Sequence, residues 1–200
     1  MKNSELRTML EKQILSLKNS KKELTDEEFE KYCNCLFSLH RLNRMSVLEQ
    51  NQIYAATHGD IVNFVLDFIR YISPLAERRK KKIHFDTVLH TRTSIMFSPR
   101  LTEIALGCIL WSFLANADSV KISFFTNISH VGVSVLSRKI SSVNNDLSCV
   151  AKIAYLHGGR VISELCDNQT KINLVFPIFA NFQPIKLIPC KTELCRLCRI

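Results

Sequence analysis

The stretch from Asn144 to Val161 constrains the fold most, because it reads as a helix that stops at Gly158-Gly159 and opens directly into a strand. Val150, Ile153, Ala154 and Leu156 form one apolar face, and Asp146 and Ser148 supply cap-type side chains near its start. Glycines at 158 and 159 can take the positive φ that ends a helix, and His157 sits where it can cap the helix end. The remaining segments alternate around this corner. Arg100 to about Leu114 is apolar nearly all round, with Leu101, Ile104, Ala105, Cys108, Ile109, Leu110 and Phe113, and is predicted to be the central core helix. Pro99 suits its first turn, where a missing N–H costs nothing. Strands are predicted at Ile83–Val88, Ser94–Phe97, Ser119–Thr126, Val131–Leu136, Arg160–Leu165 and Lys171–Phe176, with tight turns at 127–130 and 166–169. Strand, helix, hairpin, helix, hairpin is the order of an α/β sandwich, with helices on one face of a mixed sheet.

The first quarter of the chain follows another rule. Leu6, Leu10, Ile14 and Leu17 recur at helical spacing over residues 2–19. Thr25-Asp26-Glu27-Glu28 is a capping box that starts a second helix running to about Gln52, with Phe29, Tyr32, Leu36, Leu39 and Leu42 on one side. Two helices cannot bury such stripes alone, so the hairpin is expected to pair with a second copy as a four-helix bundle. After a break at 55–60, a third helix is predicted over Ile61–Arg79, with Pro74 expected to kink or divide it. The fold class is therefore α+β: a helical hairpin over 1–56, a sandwich over 57–180 and a cysteine-containing tail over 181–200.

Composition narrows the chemistry. There are only five glycines, Gly59, Gly107, Gly132, Gly158 and Gly159, and no segment gathers the several that a phosphate-cradling loop needs. The net charge of +9 invites an acidic partner, but the one basic run, Arg78 to Lys82, has no interleaved aromatics. It reads as a solvated helix end, and nucleic acid is not the expected partner. Eight cysteines without a secretory leader read as reduced thiols, and no apolar run spans a membrane, so a cytoplasmic location is expected.

Several of these segments resemble a known family. Ser4-Glu5-Leu6-Arg7-Thr8-Met9-Leu10 is similar to the phosphoacceptor motif His-Glu-Leu-Arg-Thr-Pro-Leu of sensor histidine kinases, with Ser4 in place of the histidine and Met9 in place of the proline. Pro74-Leu75-Ala76-Glu77 resembles the end of the first ATP-domain helix of that family, and Leu156-His157-Gly158-Gly159 resembles the end of its last. The resemblance implies a dimerisation hairpin followed by a histidine-kinase-like ATPase domain. It also implies where a nucleotide would sit, and each such position departs from the family pattern. Gly107 and Trp111 stand at the two asparagines of the Mg²⁺-binding box, and neither offers an oxygen to a hard cation. Ser137 stands at the aspartate that receives the adenine amino group. Asn144 and Asp146 stand at the glycines of the phosphate loop, where an aspartate would repel a triphosphate. With Ser4 at the phosphoacceptor, no catalytic residue and no cofactor are expected.

The resemblance thus implies a degenerate histidine kinase, a pseudokinase acting as a dimeric binding scaffold in bacterial two-component-type signalling on a kinase or response regulator. The alternative is a phosphotransferase that uses His40 on the second hairpin helix, although such proteins place their histidine on the first; an ordinary surface histidine is the simpler account. Cys190, Cys195 and Cys198 form C-x4-C-x2-C, to which Cys33 and Cys35 would have to add ligands for zinc. The other account of the tail is an amphipathic segment with reduced thiols that packs on the domain.

Overall fold

The computed structural model describes residues 3–18, 24–49, 55–86, 93–138, 144–166 and 168–178. The chain divides into two compact units, Met1–Glu49 and Gln50–Ile200. Residues 179–200, with Cys190, Cys195 and Cys198, lie outside the described residues.

The first unit is a hairpin of α1 (Asn3–Lys18) and α2 (Asp26–Glu49). The capping box forms reciprocally at the start of α2: the Glu28 N–H donates to Thr25 Oγ1 at 3.3 Å, and the Thr25 N–H donates to Glu28 Oε2 at 2.9 Å. Leu10, Phe29, Tyr32, Cys33 and Cys35 are buried, and the Cys35 thiol donates to Gln13 Oε1 across the hairpin at 3.3 Å. Met9, Leu15, Met45 and Leu48 remain exposed.

The second unit opens with β1 (Thr57–Asp60), which pairs antiparallel with β3 (Ser94–Phe97). The sequence predicts a break here, because Thr-His-Gly-Asp carries no alternating apolar signal; only its partner strand makes it a strand. Asp60 then caps α3 (Ile61–Arg78), accepting from the Val62 and Asn63 N–H groups at 3.0 and 3.3 Å. α3 continues unbroken through Pro74, which lies on its exposed side. It ends with Lys80 in the left-handed region (φ 59°), the Lys80 N–H on the Glu77 carbonyl and the Lys81 N–H on the Ala76 carbonyl. That is a Schellman closure built without glycine. The basic run therefore spans a helix end, its turn and the first residue of β2 (Lys82–Asp86), and Lys81 pairs with Asp118 at 3.1 Å.

α4 (Pro99–Asn116) is the core helix, with Leu101, Ile104, Ala105, Leu106, Cys108, Ile109, Leu110, Phe113 and Leu114 all buried. It leads to β4 (Ser119–Thr126), β5 (His130–Arg138), α5 (Asn144–Leu156), β6 (Arg160–Cys166) and β7 (Gln169–Pro177). The sheet runs β2-β4-β5-β7-β6, with β2 parallel to β4 and the other neighbours antiparallel. Val120, Ile122 and Phe124 of β4, Val131, Val133 and Val135 of β5, and Ile172, Leu174 and Phe176 of β7 form its inner face. At 5% exposure or less for each, this face and α4 make the core. Fully burying nine such side chains at about 1.5–3 kcal/mol each makes it the dominant stabilising layer.

Candidate functional site

The helix-to-strand corner after α5 is built by two glycines with different duties. Gly158 takes φ 69°, and the Gly158 and Gly159 N–H groups close onto the carbonyls of Tyr155 and Ala154 at 2.9 and 2.8 Å. Gly159 does not adopt positive φ; it is required because a Cβ there would collide with the Val175 carbonyl of β7. The turn that enters β6 can therefore lie at backbone distance from β7.

His157 holds this corner to the other helix of the layer. Its imidazole is 1% exposed. Nδ1 donates to the Ile153 carbonyl at 2.7 Å, and Nε2 accepts the Ser98 N–H at 2.9 Å. One nitrogen donating and the other accepting requires the neutral ring. Burial drives its pKa below the usual 6.5, and the bond to the Ile153 carbonyl opposes that only in part. The ring also stands edge-on to Phe176, centroids 5.3 Å apart. His157 thus caps the end of α5, as its position in the sequence suggests, and in addition ties the start of α4 to it. Ser98 makes no side-chain cap of its own. Nothing in the local sequence signals that link, which joins residues 59 positions apart.

The positions at which the family resemblance would put a nucleotide are spread over α4, β5 and the start of α5. Gly107 and Trp111 stand one turn apart on α4; Gly107 is buried and Trp111 half-buried. An indole is a donor only, so the pair supplies no oxygen to a cation. Ser137, near the end of β5, is 5% exposed, and its hydroxyl donates to the Ser119 carbonyl at 2.9 Å. That hydroxyl fastens the end of β5 to the start of β4. Opposite Ser137 in β7 stands Thr170, also buried. Asn144 and Asp146 belong to the first turn of α5, and Ser4 to the first turn of α1; their side chains lie outside the described residues. His40 is half-buried on α2, with Nε2 shielded from solvent. Cys33 and Cys35 are buried in the hairpin, and among the described residues no three His, Cys, Asp or Glu side chains gather as a metal site. No helix among them is long and apolar enough to cross a membrane.

No family model matches the sequence, and no curated protein matches it. Structural likeness is clear. The Acinetobacter baumannii histidine kinase AdeS superposes with a TM-score of 0.59 at 13% identity, covering 86% of this chain and 95% of that one. The catalytic domain of the histidine kinase ThkA, nucleotide-free, gives 0.54 at 14% identity over 62% of this chain and 95% of its own. Full-length ShkA, solved with AMPPNP, gives 0.58 at 12% identity over 92% of this chain and 48% of its own. Layered helices on a five-stranded mixed sheet, entered through a helical N-terminal segment, give this chain the fold of a histidine kinase with its ATPase-like domain.

Proposed function

We propose that this chain is a catalytically silent, histidine-kinase-like protein that acts as a dimeric binding scaffold in bacterial two-component-type signalling, docking on a kinase or a response regulator. The observation that carries the reading is the Ser137 hydroxyl committed to the Ser119 carbonyl. At the position equivalent to the adenine-binding aspartate, this chain has a short, buried side chain already bonded within the sheet. Gly107 and Trp111 support the same conclusion, since a cation bridging phosphates needs hard oxygen ligands and these residues have none. By the resemblance, Asn144 and Asp146 also stand in place of the two glycines of the phosphate loop, and an aspartate would repel a triphosphate.

Dimerisation is supported by the hairpin's composition. Met9 (42% exposed), Leu15 (56%), Met45 (37%) and Leu48 (38%) leave apolar surface on both helices, which a second hairpin would cover. Calorimetric titration of the full chain with Mg-ATP tests the silent site. No heat is the expected result, and saturable binding in the micromolar range would overturn the reading.

A further inference from the structure

The sheet has two unlike faces. Val120, Ile122 and Phe124 of β4 belong to the inner one, and the alternate residues form the outer one. At the end where β2 begins, the registers set His84 beside Lys121, Lys121 beside Leu136 and Leu136 beside Lys171 on the outer face. Lys82 and Arg138 lie two residues from His84 and Leu136 along their own strands, so they share that face. Lys82, Lys121, Arg138 and Lys171 therefore follow one another diagonally across β2, β4, β5 and β7, each about 7–8 Å from the next. Strand pairing alone assembles this line, since only Lys82 belongs to the basic run in the sequence.

The cations are accessible and incompletely neutralised. Lys82, Lys121 and Arg138 are exposed and Lys171 is half-buried. Further along the same face Ser134 and Asn173 are only 4% and 6% exposed, so its accessible end is the one that carries the cations. Lys121 pairs with Asp86 at 2.7 Å and Lys171 with Glu164 at 3.7 Å. Lys82 and Arg138 have no ion pair among the described residues. All four paired side chains are about half exposed, and such surface pairs are worth little, so Lys121 and Lys171 can still turn to an incoming anion. Leu136 stands between Lys121 and Lys171 in the same row, half-buried, as an apolar centre within a basic rim.

This pattern selects among anionic partners. A uniform polyphosphate would meet the carboxylates of Asp86 and Glu164 beside the cations and would leave Leu136 unused. No Phe, Tyr or Trp lies among the four cations to stack a base. An apolar centre ringed by charge is instead the anatomy of a protein–protein interface. We propose that this end of the sheet's outer face docks an acidic protein surface, with carboxylates on Lys82, Lys121, Arg138 and Lys171 and an apolar side chain on Leu136. The chain's net charge of +9 draws an acidic partner in, and the line of cations, three strand spacings or about 14 Å long, fixes how it lands. The inference rests on the docking role proposed for this chain and names the surface that performs it.

Fluorescence anisotropy of the full chain with a labelled peptide of repeated Glu-Glu-Leu tests this surface. The parent should bind the peptide saturably. The double variant K82E/R138E should weaken binding by about tenfold or more, and L136S several-fold, each with an unchanged far-UV circular dichroism spectrum. K12E/K31E makes the same change in net charge at exposed positions of the hairpin and should leave binding as in the parent. No binding by the parent, equal losses in the two double variants, or indifference to L136S would each overturn the proposal. Tighter binding of a short DNA duplex or of phosphatidylserine vesicles, lost again in K82E/R138E, would overturn the assignment to a protein partner. The Mg-ATP titration reports on the silent site alone, so a failure of this surface and a failure of that reading are distinguishable.

Discussion

Replacing His157 with glutamine probes the corner between α4 and α5 through a pH dependence that packing alone would not produce. In the folded chain the ring is neutral, donating to the Ile153 carbonyl and accepting from the Ser98 N–H, and its pKa lies below 6.5 because of burial. In the unfolded chain it titrates near 6.5. A depressed folded-state value stabilises the protein fully above pH 6.5 and progressively less as pH falls below it, since the unfolded state then binds the extra proton. Between pH 7.5 and 5.5 the unfolded imidazole passes from about one-tenth to about nine-tenths protonated. If the folded ring stays neutral throughout, the linkage term is RT ln 10, about 1.4 kcal/mol. H157Q should also cost about 1–3 kcal/mol at pH 7.5 if the buried Ser98 N–H loses its acceptor. Urea unfolding of parent and variant at both pH values reads the two effects separately. The parent should lose more stability than H157Q between pH 7.5 and 5.5, by up to about 1.4 kcal/mol. Equal losses in the two proteins would refute the neutral, doubly bonded imidazole.

Three further outcomes follow from the same geometry. Gly159→Ala should destabilise by about 1–3 kcal/mol, because the Val175 carbonyl or α5 must move to admit the methyl group; a thermal melt equal to the parent's would contradict that close approach. Thr25→Ala should cost about 0.5–2 kcal/mol through loss of the reciprocal cap at α2, measurable by denaturant unfolding. Met9→Lys combined with Leu15→Lys should convert the proposed dimer to a monomer in light scattering, with helix content retained; an unchanged dimer mass would place the interface elsewhere.

How much of this was legible before the structure varies with the range of the interaction. Amphipathic periodicity located the hairpin helices. The apolar run from Leu101 to Leu114 identified the core helix, because a helix with no polar face has nowhere to lie except the centre. Thr25 and Glu28 announced their cap, and Pro99 the start of α4, since these signals are local and act within one turn. The strand at Thr57–Asp60 was missed because its four residues carry no pattern and depend on Ser94–Phe97 for their hydrogen bonds. The continuity of α3 through Pro74 was also undetermined, because the cost of the proline is offset by packing on the opposite side of the helix.

The candidate site divides along the same line. The sequence by itself determined what is chemically possible at Gly107, Trp111 and Ser137: which side chains carry an oxygen and which carry only a donor or nothing. Only the tertiary structure decided which neighbours such side chains meet. Ser137 bonds to Ser119 because antiparallel pairing brings β5 beside β4, and His157 reaches Ser98 because two helices pack on one face of the sheet. Gly159 first reads as half of a helix stop; it is needed because the Val175 carbonyl of β7, the strand paired with β6, leaves no room for a Cβ there. Donor and acceptor inventories belong to residues, but whether a donor is free or already engaged depends on neighbours brought together from distant parts of the chain.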